Sequence, residues 1–360
     1  MSSTHSPRRI APVLGLFMLF GMAFATTTWA LRKSLPPGEG ELLEGKLAAF
    51  VEQDALQPFD VVFLGSSRIY FGVSPAEFDR RTAELGFPTH SFNLGITGQK
   101  VHGAYGALRA LQARNPRGLK YVLVDPETVS LMLSELPRLM DGQVSLHDIE
   151  SSRLLLDYIW SSALDPRDKF ARSREVLRAC AYDTANLGRG LRGVDALMGR
   201  ATDQERMKFR IGSRADGFRA KDDNPNPQAA EMHVRFLSNQ GRWQRQISRF
   251  LGERPERVRL HEAGRPLLTR IADLARQMGA EPIFFLSPSM DHQLSLISEY
   301  EEGHIRTLFA FNDPERFPEL YETDARWEAK HLSAEGARRF SALLAERFTD
   351  WLGTSREKPH

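Results

Sequence analysis

The chain has 360 residues, of which 41% are hydrophobic and 26% are charged, a composition typical of a globular protein with one sizeable core. Its 48 lysines and arginines nearly balance 46 acidic residues, and the formal net charge of +2 predicts no nucleic-acid partner. The single cysteine, Cys180, excludes an intrachain disulfide and a metal–thiolate cluster. We expect neither a metal nor a cofactor.

The N-terminus differs from the rest of the chain. An uncharged run over residues 10–31 lies between basic residues on both sides. Its length of about twenty residues is enough to cross a bilayer as one helix. The flanking charges favour an uncleaved signal anchor, with residues 1–9 in the cytoplasm and a spacer with a short helix at 32–58. The alternative is a signal peptide cleaved after Ala30.

The body of the protein, residues 59–352, alternates strands with helices. Compact apolar runs predict buried parallel strands, and capped amphipathic segments predict helices between and after them. The predicted strands are Phe59–Leu64, Ser91–Leu94, Tyr121–Val124 and Pro282–Leu286, and the helices start at Ser74, Val101, Leu267 and Ser333. This alternation predicts a flavodoxin-like three-layer α/β/α sandwich. The stretch at about 132–264 breaks the alternation and is predicted to be a mostly helical insertion, with a loop at 212–227. Residues 353–360 form a tail.

Ligands of an open α/β sheet bind beyond the carboxyl ends of its strands, so the residues at those ends are candidate site residues. They are Gly65-Ser66-Ser67-Arg68, the segment Asn93–Gln99, Asp125-Pro126-Glu127 and Ser287-Pro288-Ser289. Glu328-x-x-His331 comes directly before the closing helix, and Asp324 lies a little earlier. A serine hydroxyl becomes a good nucleophile when a histidine removes its proton and a carboxylate orients that histidine.

These motifs resemble those of the SGNH (GDSL-like) hydrolase superfamily, whose first block is Gly-Asp-Ser and whose last block is Asp-x-x-His. Ser67 stands at the place of the nucleophile and His331 at that of the base, with Glu328 as its expected orienter and Asp324 as a second candidate. The resemblance also implies that the backbone N–H groups of Ser67 and Gly98 stabilise the oxyanion.

The Gly-Ser-Ser-Arg and His-Leu-Ser-Ala-Glu-Gly segments are especially similar to membrane-anchored bacterial members linked to acylation of cell-surface polymers. This similarity implies a single-pass protein of the bacterial inner membrane with its body in the periplasm or outside the cell. The implied substrate is a cell-envelope polysaccharide or lipid. A membrane-bound acyl-donor protein is a further candidate partner.

One block departs from the family. The third block of SGNH hydrolases brings an asparagine to the oxyanion hole, whereas this chain has Asp125-Pro126-Glu127 there. Two functions therefore stay open. The first is a serine esterase or O-acyltransferase that works through an acyl-enzyme. The second is a catalytically reduced domain that binds glycan or scaffolds an envelope assembly.

Three residues are candidate substrate contacts. Arg68 is expected either to contact an anionic group or to pair with Asp125 or Glu127. Asn93 is expected mainly to support its turn, and His292 follows the late strand and could line the cleft.

Overall fold

The computed structural model of the protein describes residues 10–34, 42–126, 149–162, 164–184, 203–253 and 264–356. Its centre is a sheet of five strands, β1 (Val61–Leu64), β2 (Ser91–Asn93), β3 (Tyr121–Val124), β4 (Glu281–Leu286) and β5 (Leu308–Ala310). Their order is β2-β1-β3-β4-β5, and every pair is parallel. This is the strand order of flavodoxin-like sheets. The predicted α/β fold with a parallel sheet is therefore confirmed, and β5 is an additional strand.

The register of the sheet places the ends of its central strands level with one another. Val61 of β1 lies beside Ser91 of β2 and Tyr121 of β3, and Tyr121 lies beside Glu281 of β4. Because the strands are parallel, the segments that follow them leave the sheet at the same edge. The motifs singled out in the sequence therefore meet at this edge.

Helices cover both faces of the sheet. The described helices are α1 (Ile10–Ser34), α2 (Leu42–Asp54), α3 (Ser67–Gly72), α4 (Pro75–Glu84), α5 (Val101–Gln112), α6 (Ile149–Ser161), α7 (Pro166–Thr184), α8 (Asp203–Ile211), α9 (Pro227–Leu237), α10 (Gln240–Gly252), α11 (Arg265–Gln277), α12 (Leu294–Glu301) and α13 (Ala334–Arg356). Side chains alternate between the faces of a strand. Val62 and Leu64 pack with α2, α5 and α11, whereas Val61 and Phe63 pack with α3, α4 and α13. The result is consistent with a three-layer sandwich.

The N-terminal helix α1 presents large apolar side chains to its surroundings. Leu16, Phe17 and Phe20 are 69%, 70% and 69% exposed. Over the ranges of the chain that the structure describes, however, no helix meets the length and apolarity needed to span a membrane. The predicted N-terminal span therefore has no support from the structure.

The segment between β3 and β4 is mostly helical in its described ranges, with α6 to α11 following one another along the chain. Residues 212–226 contain only turns and one short 3₁₀ helix, Lys221–Asp223, as expected for the predicted loop. This loop packs against the sheet, since the Asn93 N–H on the edge strand β2 donates to the Asp216 carbonyl at 2.8 Å. The contact covers part of an edge that would otherwise offer unpaired backbone groups.

Candidate active site

Ser67 is the first residue of α3 and follows β1 after a two-residue turn. The turn needs glycine at position 65, because a Cβ there would lie 2.4 Å from Ile69 Cγ1, and its φ is +155°. Ser66 caps the helix, with its Oγ accepting a hydrogen bond from the Arg68 N–H at 3.2 Å. The local sequence therefore places Ser67 at the carboxyl edge of the sheet.

His331 reaches Ser67 from a small antiparallel hairpin formed by β6 (Arg326–Glu328) and β7 (His331–Leu332). The Ser67 Oγ lies 2.7 Å from His331 Nε2, although the two residues are 264 positions apart. On the other side of the imidazole, Nδ1 is hydrogen-bonded to Glu328 Oε1. The Phe71 ring packs edge-on against the imidazole, with centroids 5.7 Å apart. Ser67, His331 and Glu328 are thus linked in sequence by two hydrogen bonds.

The charge of Glu328 is stabilised where it lies. Burial raises its pKa, but the hydrogen bond with His331 and the other interactions around the carboxylate together lower the pKa below its usual value. The Lys330 N–H donates to Oε2 at 2.9 Å, and the nearby charge of Lys221 acts in the same direction. An ionised Glu328 favours the tautomer with the proton on Nδ1, which leaves the Nε2 lone pair facing the Ser67 hydroxyl.

Asp324, the second candidate orienter, does not lie at the imidazole. Its carboxylate accepts hydrogen bonds from Arg339 Nη2 at 2.7 Å and Nη1 at 3.3 Å, and its side chain is 60% exposed. Among the described contacts, Glu328 is the carboxylate that His331 touches. The structure therefore favours Glu328 over Asp324 as the orienting residue.

The loop after β2 lies beside the Ser67 turn. The Ile96 N–H donates to the Gly65 carbonyl at 2.9 Å, and two residues later Gly98 has a φ of +72°, which favours glycine. No hydrogen bond is formed by the N–H of Ser67 or Gly98 within the described part of the chain. The two N–H groups that the resemblance assigns to the oxyanion hole are thus without a hydrogen-bond partner in that part of the chain.

The third block places a carboxylate rather than an amide at the end of β3. Asp125 is buried, and its Oδ2 lies 3.4 Å from the Ser287 N–H at the end of β4. This carboxylate is therefore turned toward the backbone of β4. Glu127, the other acidic residue of the block, lies outside the described residues.

Two further residues belong to the surroundings of the loop after β2, namely Lys46, which the sequence did not single out, and Gln99, the last residue of the candidate segment Asn93–Gln99. Lys46 of α2 is fully buried, and its Nζ donates to the carbonyls of Asn93 at 3.0 Å and Gly95 at 2.6 Å. Burial lowers the pKa of Lys46 well below its usual value. Gln99 is buried, and neither of its side-chain polar atoms has a partner among the residues described. Gln99 thus carries an unused amide donor next to Gly98.

The three predicted substrate contacts lie in different settings. Asn93 is fully buried and its Nδ2 donates to the carbonyls of Ile69 at 2.7 Å and Val73 at 2.6 Å, so its side chain anchors α3. His292 stacks on Phe250, with centroids 3.9 Å apart, which is a packing contact. Arg68 is half-buried, and in the described part of the chain its guanidinium forms no ion pair or hydrogen bond.

One group of side chains has spacing that could hold a metal ion. Ligand atoms of Glu299, Glu302 and His304 lie within 4.8 Å of one another, near the end of α12. Arg265 already forms salt bridges with Glu299 at 2.8 Å and Glu302 at 3.4 Å. The guanidinium supplies the positive charge that these carboxylates need, so the group is explained without an ion.

Comparison with known proteins gives no further identification. No protein-family model matches the chain, and no curated protein matches it significantly. The likeness to SGNH hydrolases therefore rests on the motifs and on the geometry described above.

Proposed function

We propose that the protein is an SGNH-type serine esterase or O-acyltransferase that works through an acyl-enzyme. The observation that carries this proposal is the 2.7 Å contact between Ser67 Oγ and His331 Nε2, together with Glu328 on the opposite imidazole nitrogen. A serine paired with an oriented histidine is the arrangement that nucleophilic acyl transfer requires.

In the proposed reaction, His331 Nε2 takes the Ser67 hydroxyl proton while Oγ attacks the ester carbonyl carbon. The negative charge that develops on the carbonyl oxygen is stabilised by the N–H groups of Ser67 and Gly98. The tetrahedral intermediate then collapses, and the alcohol leaves with the proton that His331 returns. Water or an acceptor hydroxyl next attacks the acyl-Ser67 carbonyl while His331 takes its proton. The second tetrahedral intermediate collapses with cleavage of the acyl–Oγ bond, and His331 returns the proton to Ser67 Oγ. The two outcomes are hydrolysis and acyl transfer.

Gln99 is our candidate for the third oxyanion donor, in place of the family's third-block asparagine. Its amide is buried, follows Gly98 directly and lacks a partner among the described residues. A buried amide without a partner is unfavourable unless something else fulfils its hydrogen bonds, and a developing oxyanion can do so.

The second function, a catalytically reduced domain that binds glycan, is favoured by one observation. A buried carboxylate, Asp125, stands where the family places its asparagine. One assay, run on the wild type and three variants, separates the two functions. Release of nitrophenol from 4-nitrophenyl acetate should require Ser67 and His331 and should be unaffected by Ser161→Ala, a serine in α6. Equal release by the wild type and Ser67→Ala would leave the binding function as the better account.

We further propose an envelope location for the site, with a polysaccharide or lipid ester as substrate. The exposed apolar side chains of α1 support attachment to an apolar surface such as a membrane. A fusion of alkaline phosphatase after Arg32 should be active in bacteria if the body is outside the cytoplasm. An inactive phosphatase at that junction, with an active cytoplasmic reporter there, would contradict this location.

A further inference from the structure

Beside the candidate triad, Arg68 lies at the surface with no counter-ion. It directly follows Ser67 and is half-buried, and in the described part of the chain its guanidinium has no hydrogen-bond or ion-pair partner. Its positive charge acts on Tyr321 and Arg326, which lie on the side of the triad near β4 and β6. Arg68 thus lies at the carboxyl edge of the sheet, where Ser287 follows β4 and where the β6–β7 hairpin brings His331 to Ser67.

A second arginine, Arg326 at the start of β6, is fully buried. Its guanidinium stacks on the Tyr321 ring at 4.6 Å and on the Trp243 ring at 5.4 Å, and Nη1 donates to the Pro288 carbonyl at 3.3 Å. Its Nε and Nη2 have no hydrogen-bond partner among the residues that the structure describes. The negative charge of Glu328 acts on Arg326 but forms no salt bridge with it, and a buried guanidinium with unpaired N–H groups is costly, so this pattern indicates a place for a further anion.

Two serine hydroxyls adjoin Pro288, the residue whose carbonyl Arg326 contacts. Ser287 and Ser289 are buried, and neither Oγ has a partner within the described ranges. Hydroxyl hydrogens can rotate toward an anion. The carboxylate whose negative charge acts on Arg326 is Glu328, which binds His331 and forms no salt bridge with either arginine in the described part of the chain.

We propose that Arg68, Arg326, Ser287 and Ser289 form an anionic subsite that holds a carboxylate or phosphate of the ester that Ser67 attacks. This inference rests on the proposed function and narrows its substrate to esters that carry an oxyanion group near the acyl linkage. Arg68 is the accessible member that pairs with the group, since a guanidinium matches carboxylate and phosphate oxygens in geometry. Arg326 adds a second positive charge from its buried position.

The test uses three acetylated sugars that share one ring, namely acetylated glucose, acetylated glucuronic acid and acetylated glucose phosphate. The first is neutral, and the other two carry the two candidate anions. We expect kcat/KM for acetate release to be at least about tenfold higher for one or both anionic esters than for the neutral ester. Arg68→Gln should reduce that preference at least about tenfold. Arg326→Gln should also reduce the preference for the anionic esters. If Arg326→Gln does not fold, Arg326→Lys is measured in its place.

The matched control is Lys120→Gln, which removes an exposed positive charge before β3, at the opposite end of the strands. It should keep the preference for the anionic ester. Equal kcat/KM for neutral and anionic esters in an active wild type would overturn the subsite but leave the proposed function standing. If every ester is inert, the proposed function fails. In that case, binding to Ser67→Ala measured by calorimetry tests the subsite. Glucuronate or glucose phosphate should bind more tightly than glucose, and equal affinities for all three would overturn the subsite.

Discussion

Replacing Glu328 by glutamine should place the proton of His331 on the wrong nitrogen. The carboxylate of Glu328 binds His331 Nδ1 with Oε1 and accepts the Lys330 N–H with Oε2 at 2.9 Å. A glutamine has one oxygen and one NH₂ group. The Lys330 backbone donor is fixed and requires the oxygen, so the NH₂ must face Nδ1. His331 would then accept at Nδ1 and carry its proton on Nε2.

With the proton on Nε2, the imidazole donates to the Ser67 hydroxyl instead of accepting from it, and the base is lost. The analogous change of a triad carboxylate to an amide lowers kcat by about 10⁴ with geometry retained. We therefore expect Glu328→Gln to lower the rate of nitrophenol release from 4-nitrophenyl acetate by about 10³ to 10⁴. Circular dichroism and the thermal midpoint should stay close to those of the wild type, because volume and hydrogen-bond count are conserved.

The matched control for Glu328→Gln is Asp324→Asn, the same chemical change at the other candidate carboxylate. Asp324 bonds Arg339 on a largely exposed surface, so its amide should change the rate less than about threefold. A Glu328→Gln rate within threefold of the wild type, or an equal loss in Asp324→Asn, would refute the orienting role of Glu328.

Three further predictions concern Lys46, Gln99 and Asp79, a residue of α4 whose carboxylate accepts hydrogen bonds from Thr89 Oγ1 and the Ser91 N–H. Lys46→Met should lower the free energy of unfolding in urea by about 1 to 3 kcal/mol and slow nitrophenol release, because the carbonyls of Asn93 and Gly95 lose their donor. A variant with wild-type stability and rate would contradict this prediction. Gln99→Leu should lower the rate about a hundredfold without loss of stability, and an unchanged rate would remove Gln99 from the oxyanion hole. Burial raises the pKa of Asp79 to about 6, so between about pH 4 and pH 6 the native state holds a proton on Asp79 that the unfolded chain releases. The free energy of unfolding of the wild type should therefore fall as the pH rises from about 4 to about 7. Over this pH range, the free energy of unfolding in urea should fall by up to about 3 kcal/mol more for the wild type than for Asp79→Asn. Parallel pH profiles of the two proteins would contradict the prediction.

The sequence predicted the elements that have strong local patterns. The buried strand at Tyr121–Val124 lies where its apolar run predicted, and the strand before Ser67 begins only two residues later than expected. The short strand β5 was missed because three residues carry too little periodicity. The β6–β7 hairpin was missed for the same reason, although it carries Glu328 and His331.

The candidate triad could be predicted because each member follows or precedes a recognisable element. The sequence favoured Glu328 as the orienting residue but could not exclude Asp324, since both lie close to His331 along the chain and only tertiary packing directs Asp324 to Arg339. Lys46 gave no signal either, because a lysine in an amphipathic helix normally faces water. The contact of Arg326 with the end of β4 is also long-range and leaves no local trace.

The most direct test of the central claim is labelling of the purified protein with a fluorophosphonate probe, followed by mass spectrometry to locate the adduct. We predict one adduct per chain, on the peptide that contains Ser67, abolished in Ser67→Ala and strongly slowed in His331→Ala and Glu328→Gln. An unlabelled wild type, or labelling that persists in folded Ser67→Ala, would contradict the account of Ser67 as an activated nucleophile.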